Sequence, residues 1–288
     1  MELRHWVCLN GTLLPADEAR VSVFDSGFMQ GIGLFETMRA YNGQVFRLRA
    51  HLDRLIGSAR TLGWTVLPEV AELEDNVRQV LQATGAAEAR VRLTVTTGSL
   101  HPTASDTPRL TVVATASLTE KYPDECYTRG VTVLLSDYRQ SRHDPTAGHK
   151  TTSYFARLAS LRTAHAQGAM EVLWQTPEGY LAEGAISNLF IVRDEQLWTP
   201  PVDTPVLPGI TRAVVIELAR RRNLAVHESA VTVDDLRTAD EAFLTNSMME
   251  IMPVVRLGRE RIGNEQLGDV TRALAIAYGH LIDEECGG

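Results

Sequence analysis

Three features of this 288-residue chain predict an α+β fold. Runs rich in β-branched residues and runs with helical apolar spacing occur in both halves, yet they never settle into a regular strand, helix, strand rhythm. Two Asn-Gly pairs, Asn10-Gly11 and Asn42-Gly43, each separate strand-like runs, which is the arrangement of a tight antiparallel hairpin. No Gly-x-Gly-x-x-Gly leads a strand into a helix, so a doubly wound dinucleotide-binding sheet lacks its main mark.

In chain order, Trp6-Val7-Cys8-Leu9 reads as a strand ahead of the first hairpin turn. Thr37 to Tyr41 and Gln44 to Arg47 flank the second. Leu52, Leu55, Ile56, Ala59 and Leu62 recur at helical spacing from Arg49 to Leu62, and Gly63 stops that helix. A second helix is expected from Glu69 to Thr84 before Gly85, then strands from Val91 to Thr97 and Leu110 to Thr115, joined by a loop over 98–108. A polar stretch from Leu118 to Gly130 reads as a linker. Beyond it come a strand from Val131 to Leu135, a helix from Tyr154 to Ala166 and alternating strands and turns from Glu171 to Val192. Helices over Ile210 to Arg222 and Val270 to Ile282 complete the reading. The expected domains are therefore 1–118, a linker at 119–130, and 131–288.

Composition narrows the function. The chain carries a formal charge of −8 and no basic run, so it lacks an electrostatic footprint for nucleic acid. No apolar run approaches the roughly 18 residues of a membrane span, and the N-terminus has no signal-peptide core. A cytoplasmic protein with no membrane partner is expected. Cys8, Cys126 and Cys286 are odd in number and far apart, which suits plain thiols better than a disulfide framework or a metal site.

Lysine is almost absent: of 28 basic residues only Lys121 and Lys150 are lysine. Arginine can take over most surface charge work, but a guanidinium never loses its proton, so a position needing a deprotonatable amine must keep its lysine. Lys150 is therefore the first candidate for chemistry. Three further segments suggest its partners. Glu183 precedes Gly184-Ala185-Ile186-Ser187-Asn188-Leu189-Phe190; if buried it needs a cationic partner, and a plainer reading leaves it as a turn acid in water. Leu207-Pro208-Gly209-Ile210-Thr211-Arg212 leads Pro-Gly into a helix, where the N–H groups of Ile210 and Thr211 could bind an anion. Thr245-Asn246-Ser247 ends a strand with hydroxyl and amide groups that suit phosphate or carboxylate oxygens, or a capped turn. Arg54, in His51-Leu52-Asp53-Arg54-Leu55, could complete a phosphate cradle or pair with Asp53 or Glu72 on the helix surface.

Taken together and in this order, with Asp25-Ser26-Gly27-Phe28, Gly31, Gly33 and Phe35-Glu36-Thr37-Met38-Arg39, these segments resemble the class IV aminotransferases, the pyridoxal phosphate enzymes of fold type IV. The likeness runs from Asn10-Gly11 to Pro253-Val254. It implies a smaller N-terminal α/β lobe, a larger C-terminal barrel-like lobe, and a homodimer or larger assembly. It further implies pyridoxal 5'-phosphate as cofactor, held by Lys150 as a Schiff base, with Glu183 keeping the pyridine nitrogen protonated. Arg54, Ser247, Ile210 and Thr211 match the family's phosphate cradle, Leu207 the residue packed on one ring face, and Tyr154 a tyrosine near the phenolic oxygen. Ser153 stands where asparagine is usual.

The same resemblance leaves the substrate open. An aminotransferase would take an amino donor and a 2-oxo acid, with Phe35, Arg92 and Asn246 against the substrate. Arg92 falls near an arginine that some branched-chain enzymes use, while Arg39 or an arginine from a partner subunit are alternatives for the carboxylate. The segment Gly98-Ser99-Leu100-His101-Pro102 lacks the Arg-Asn-His run of D-amino acid transaminases. Thr37, read here as a catalytic residue, and Asn246 look more like aminodeoxychorismate lyases, whereas Glu36 beside Phe35 is similar to transaminases. Transamination is the reading taken, with 4-amino-4-deoxychorismate lyase as the alternative.

Overall fold

The computed structural model describes residues 5–101 and 109–287. The chain divides into two compact units. The first runs to Glu120 and also takes in His149–Ser153 and the residues from Ile282 onward; the second holds Lys121–Gly148 and Tyr154–Leu281.

In the first unit β1 (Trp6–Leu9) and β2 (Thr12–Pro15) form the first hairpin, followed by a short helix α1 (Ser26–Gln30). The strand β3 (Gly33–Tyr41) turns into β4 (Gln44–Val45), then come helices α2 (Leu48–Thr61) and α3 (Val70–Thr84) and strands β5 (Ala89–Thr96) and β6 (Thr111–Leu118). Both Asn-Gly pairs adopt the left-handed turn expected of them, with φ of 50° and 79° at Asn10 and Gly11 and of 50° and 77° at Asn42 and Gly43. The six strands form one antiparallel sheet in the order β2-β1-β6-β5-β3-β4.

Alternation assigns the faces of this sheet. Leu34, Met38 and Ala40 of β3 and Ala89, Val91, Leu93 and Val95 of β5 join Leu52, Leu55, Ile56 and Ala59 of α2 in one core. Phe35, Thr37, Arg39 and Tyr41 alternate with that row along β3 and fall on the opposite face of the sheet. The loop reading over 98–108 lies mostly outside the described residues, since 102–108 are not among them.

The second unit contains α4 (Asp124–Thr128), β7 (Val131–Arg139), α5 (Phe155–Ala166), β8 (Glu171–Gln175), β9 (Tyr180–Gly184), β10 (Asn188–Arg193) and β11 (Gln196–Thr199). It continues with α6 (Ile210–Arg221), β12 (Val226–Glu228), β13 (Val231–Thr232), α7 (Val233–Arg237), β14 (Glu241–Asn246), β15 (Glu250–Leu257), β16 (Glu260–Arg261) and α8 (Asp269–Cys286), whose last turns belong to the first unit. Its mixed sheet runs β12-β11-β10-β14-β15-β7-β8-β9-β13, with β16 on β15. The α+β class and the barrel-like second sheet are those expected from the sequence.

Three local expectations needed correction. The polar stretch before Gly130 contains the helix α4, with Asp124 and Glu125 in its first turn where the helix dipole favours acids. The strand read as ending at Leu135 continues to Arg139, because Arg139 pairs with Gln175 after an irregularity in register. The closing helix runs from Asp269 to Cys286, longer than its apolar pattern suggested.

Candidate active site

In the first unit, Lys150 lies on a short extended segment held against β3. Phe35 N donates to Lys150 O at 2.9 Å, Thr152 N donates to Gly33 O at 2.9 Å, and Leu34 and Thr151 form an isolated antiparallel bridge. The Lys150 main chain is thus fixed by the strand that carries Phe35. Its Nζ stands 4.7 Å from the centre of the Phe35 ring, and the Arg92 guanidinium stands 3.9 Å from the same ring. Thr37 is the cross-strand partner of Arg92. Two cations therefore share one buried aromatic side chain, which is 4% exposed.

Helix α2 presents His51, Arg54 and Ser58 at helical spacing within an otherwise apolar face. Glu36 occupies the core row of β3, between Leu34 and Met38, and is 1% exposed. Arg54 Nε donates to Glu36 Oε1 at 2.9 Å, and His51 Nδ1 lies 2.7 Å from Glu36 Oε2. Burial alone would raise the Glu36 pKa, but the Arg54 guanidinium and the His51 hydrogen bond outweigh it and hold the carboxyl at about 2. Burial pushes the His51 pKa down, so the ring is neutral at pH 7 and donates its Nδ1–H to the carboxylate. One turn further along α2, Ser58 Oγ lies 2.9 Å from His149 Nδ1, which ties the helix to the residue preceding Lys150.

In the second unit, Glu183 lies near the end of β9 and is 3% exposed. Its Oε1 accepts from Arg157 Nη2 at 2.6 Å and Gln140 Nε2 at 3.1 Å, and its Oε2 from Leu207 N at 2.9 Å. Asn188 Nδ2 donates to Leu207 O at 2.9 Å, so Leu207 is fixed through both main-chain groups. Gly209 then caps α6 with no side-chain hydrogen bond, which leaves the first-turn amides of Ile210 and Thr211 facing no capping side chain. Tyr154 is the residue before α5 and donates its hydroxyl to Ala185 O at 3.3 Å.

Sequence reading and structure can be compared residue by residue. Glu183 is buried rather than a turn acid in water, and Arg54 pairs with Glu36 rather than with Asp53, which is taken by Arg49. Asn246 spends its amide on a turn: Oδ1 accepts from the N–H groups of Met248 and Met249, both at 2.8 Å, and Nδ2 donates to Ile186 O at 3.0 Å. Ser247 lies in that turn, and the neighbouring Thr245 Oγ1 is buried without a hydrogen-bond partner among the described residues. Sequence reasoning missed Arg157, Gln140 and the pairing of Glu36 with His51. A glutamate in an apolar strand row and polar residues at helical spacing on an apolar face were the available signals for that pair; Arg157 had none.

These donors fit pyridoxal phosphate. Taken each by itself, the first unit offers an amine on a fixed main chain, and the second a buried carboxylate, an uncapped helix N-terminus and an orphaned hydroxyl close in sequence to Ser247, the kinds of donor such a group needs.

Comparison with known proteins agrees. The family model described as amino-transferase class IV matches residues 33–257. A Methanocaldococcus jannaschii protein, provisionally named a branched-chain-amino-acid aminotransferase, is 35% identical over 272 residues, covering 93% of each chain. A D-alanine aminotransferase of Listeria monocytogenes is 29% identical over 98% of this chain and 97% of its own. The crystal structure of the T.th. branched-chain amino acid aminotransferase complexed with N-(5'-phosphopyridoxyl)-L-glutamate has a TM-score of 0.88 and 28% identity, covering 99% of this chain and 95% of that one.

Proposed function

The chain belongs to the class IV amino-transferase family and is a pyridoxal-phosphate-dependent aminotransferase, and from that premise we propose that Lys150 holds the cofactor and that an apolar, branched-chain type of amino acid is its amino donor. The observation that carries the Lys150 role is its segment, pinned through its carbonyl to Phe35 N with its amine against the Phe35 ring, while the donor class is supported by likeness to branched-chain enzymes. Bound pyridoxal phosphate supplies an aldehyde that condenses with amines and a ring that withdraws electrons.

The residues of this chain supply the rest. With the cofactor bound, Lys150 Nζ would move the proton at the substrate α-carbon as a general base. Glu183, its carboxylate oriented by Arg157, Gln140 and Leu207 N, would hold the cofactor's ring nitrogen. Ile210 N, Thr211 N, Ser247 and Arg54 would hold the phosphate, the first two favoured by the dipole of α6. Leu207, fixed through Glu183 and Asn188, and Tyr154 would help to hold the cofactor's ring. Phe35 would form the apolar wall of the substrate site, with Arg92 and Thr37 beside it on the same face of the sheet, and Asn246, whose amide is committed to its turn, would contribute only its position. A 2-oxo acid accepts the amino group in the second half of the reaction.

The working form in this proposal is a homodimer in the cytoplasm. Val23, Phe24, Phe28 and Met29 are 62%, 51%, 74% and 48% exposed, an apolar run that a second copy would cover. Cys8, Cys126 and Cys286 are free thiols, which suits a reducing compartment.

The test is a half-reaction. Holoprotein is mixed separately with L-leucine, D-alanine and R-1-phenylethylamine without acceptor, and loss of the visible cofactor band is followed. Rapid bleaching with L-leucine alone is expected. Bleaching only with D-alanine or the amine would overturn the donor class, and no bleaching together with pyruvate release from aminodeoxychorismate would move the assignment to the lyase.

A further inference from the structure

Arg157 forms a contact set around Glu183 that a general surface arginine would not. It lies in the first turn of α5, and its side chain is 19% exposed. Nη2 donates to Glu183 Oε1 at 2.6 Å, while Nη1 donates to Ala185 O at 3.1 Å and Gly184 O at 3.3 Å. The guanidinium carbon also stands 5.1 Å from the Trp174 ring centre, and Trp174 is in turn fixed by Ser160 Oγ at 3.2 Å and by stacking on Tyr138. The fork is therefore held in place, with one prong on the carboxylate and the other on the turn that follows it.

An ionised carboxylate buried to this extent is costly unless a cation compensates it. Within the second unit the charged and titratable groups acting on Arg157 are Glu183, Tyr154 and Glu171, and Glu171 is occupied by Val172 N, Ala185 N, Ile186 N and Ser187 Oγ. Gln140 and Leu207 N add neutral donors to Glu183 but no charge. Among the described residues, Arg157 is thus the cation in direct contact with this carboxylate.

We propose that Arg157 is the counter-ion that compensates and orients the buried Glu183 carboxylate before the cofactor arrives, a positioning residue that acts through the carboxylate. The proposal rests on the cofactor reading above. Its consequence is a division of labour over time. In the cofactor-free protein Arg157 compensates the carboxylate; when a protonated ring nitrogen binds, a second cation shares that role and the protein depends less on the arginine. A role as a simple strap on the Gly184 and Ala185 carbonyls predicts no such change.

The experiment is thermal melting of the full chain with and without saturating pyridoxal phosphate, for wild type, Arg157→Gln, Glu183→Gln and the double variant. Cofactor-free Arg157→Gln should melt several degrees lower than wild type, and the deficit should shrink when the cofactor is bound. The double variant should regain part of the loss, since removing the stranded charge relieves its cost. Equal deficits with and without cofactor, and additive losses in the double variant, would overturn the proposal in favour of the strap. If Arg157→Gln does not fold, Arg157→Lys decides the matter: it keeps the charge while giving up the two-pronged fork, so it should retain most of the cofactor-free melting temperature. A drop in Arg157→Lys to the level of complete misfolding would count against the counter-ion. A wild-type protein whose melting is unmoved by pyridoxal phosphate would instead overturn the cofactor reading.

Discussion

Arg54 of α2 and Glu36 of β3 form a two-point ion pair, Nε to Oε1 at 2.9 Å and Nη2 to Oε2, with side chains 10% and 1% exposed. The glutamate sits in the apolar row of its strand, so its burial is tolerable only because the guanidinium and His51 compensate it. Glu36→Gln leaves the guanidinium without its charge partner. The expected loss is about 3 to 5 kcal/mol of unfolding free energy, the usual cost of breaking a buried pair from one side. Urea denaturation of both proteins at pH 7 measures it, and a loss no larger than that of a surface substitution would show that the pair does not stabilise the unit.

The same cluster sets an acid limit. Glu36 titrates at about 2 against an ordinary 4.5, so its stabilisation is complete above pH 4.5 and is lost as the pH falls toward 2. His51 has a folded-state pKa lowered below 6.5, so the unfolded chain takes up that proton first and stability begins to fall below pH 6.5. Both groups act in one direction. Urea midpoints should decline on acidification in two stages, starting below pH 6.5 and steepening below pH 4.5, and Glu36→Gln should flatten the second stage. A midpoint that is constant from pH 7 to pH 4 would contradict both assignments.

Lys150→Ala separates chemistry from folding. The amine contributes one cation over an aromatic ring, worth up to about 1 kcal/mol at a partly exposed site, while the main-chain bond to Phe35 N survives any side chain. The variant should fold with nearly unchanged melting yet lose the visible band of lysine-bound cofactor. A band that persisted would remove Lys150 from its proposed role.

Much of the fold could be read from the sequence because its signals were local. Both Asn-Gly turns, the stop at Gly85 and the helix of α2 follow from backbone conformation and apolar spacing within a few residues. The Arg139 end of β7 escaped because polar residues there are held by pairing with Gln175, a partner far along the chain. Site residues divide in the same way. Lys150 stood out through scarcity and Glu183 through its motif, but the partners that compensate a buried carboxylate do not. Arg157 lies 26 positions from Glu183, and Glu36 reaches Arg54 only once β3 and α2 have packed. Pairings of this kind are products of tertiary structure, and no periodicity announces them.

Gly209 tests how far the Glu183 support extends. Its φ of −64° is open to any residue, so an added Cβ is penalised by contact alone. That carbon would lie 2.0 Å from Asn188 Oδ1 and 3.2 Å from Arg212 Cβ. Asn188 must then move, and with it the hydrogen bond to Leu207 O whose residue also donates N–H to Glu183. Gly209→Ala should therefore cost about 1 to 3 kcal/mol, as overpacking does, and should weaken pyridoxal phosphate binding by loosening Leu207 and the start of α6 together. In an Asn188→Ala background the severe contact is gone and only the 3.2 Å approach to Arg212 Cβ remains, so adding Gly209→Ala should cost less than it does alone. Chemical denaturation of the two single variants and the double variant settles the point: full additivity would mean that the glycine is required for a reason other than the close approach of Asn188.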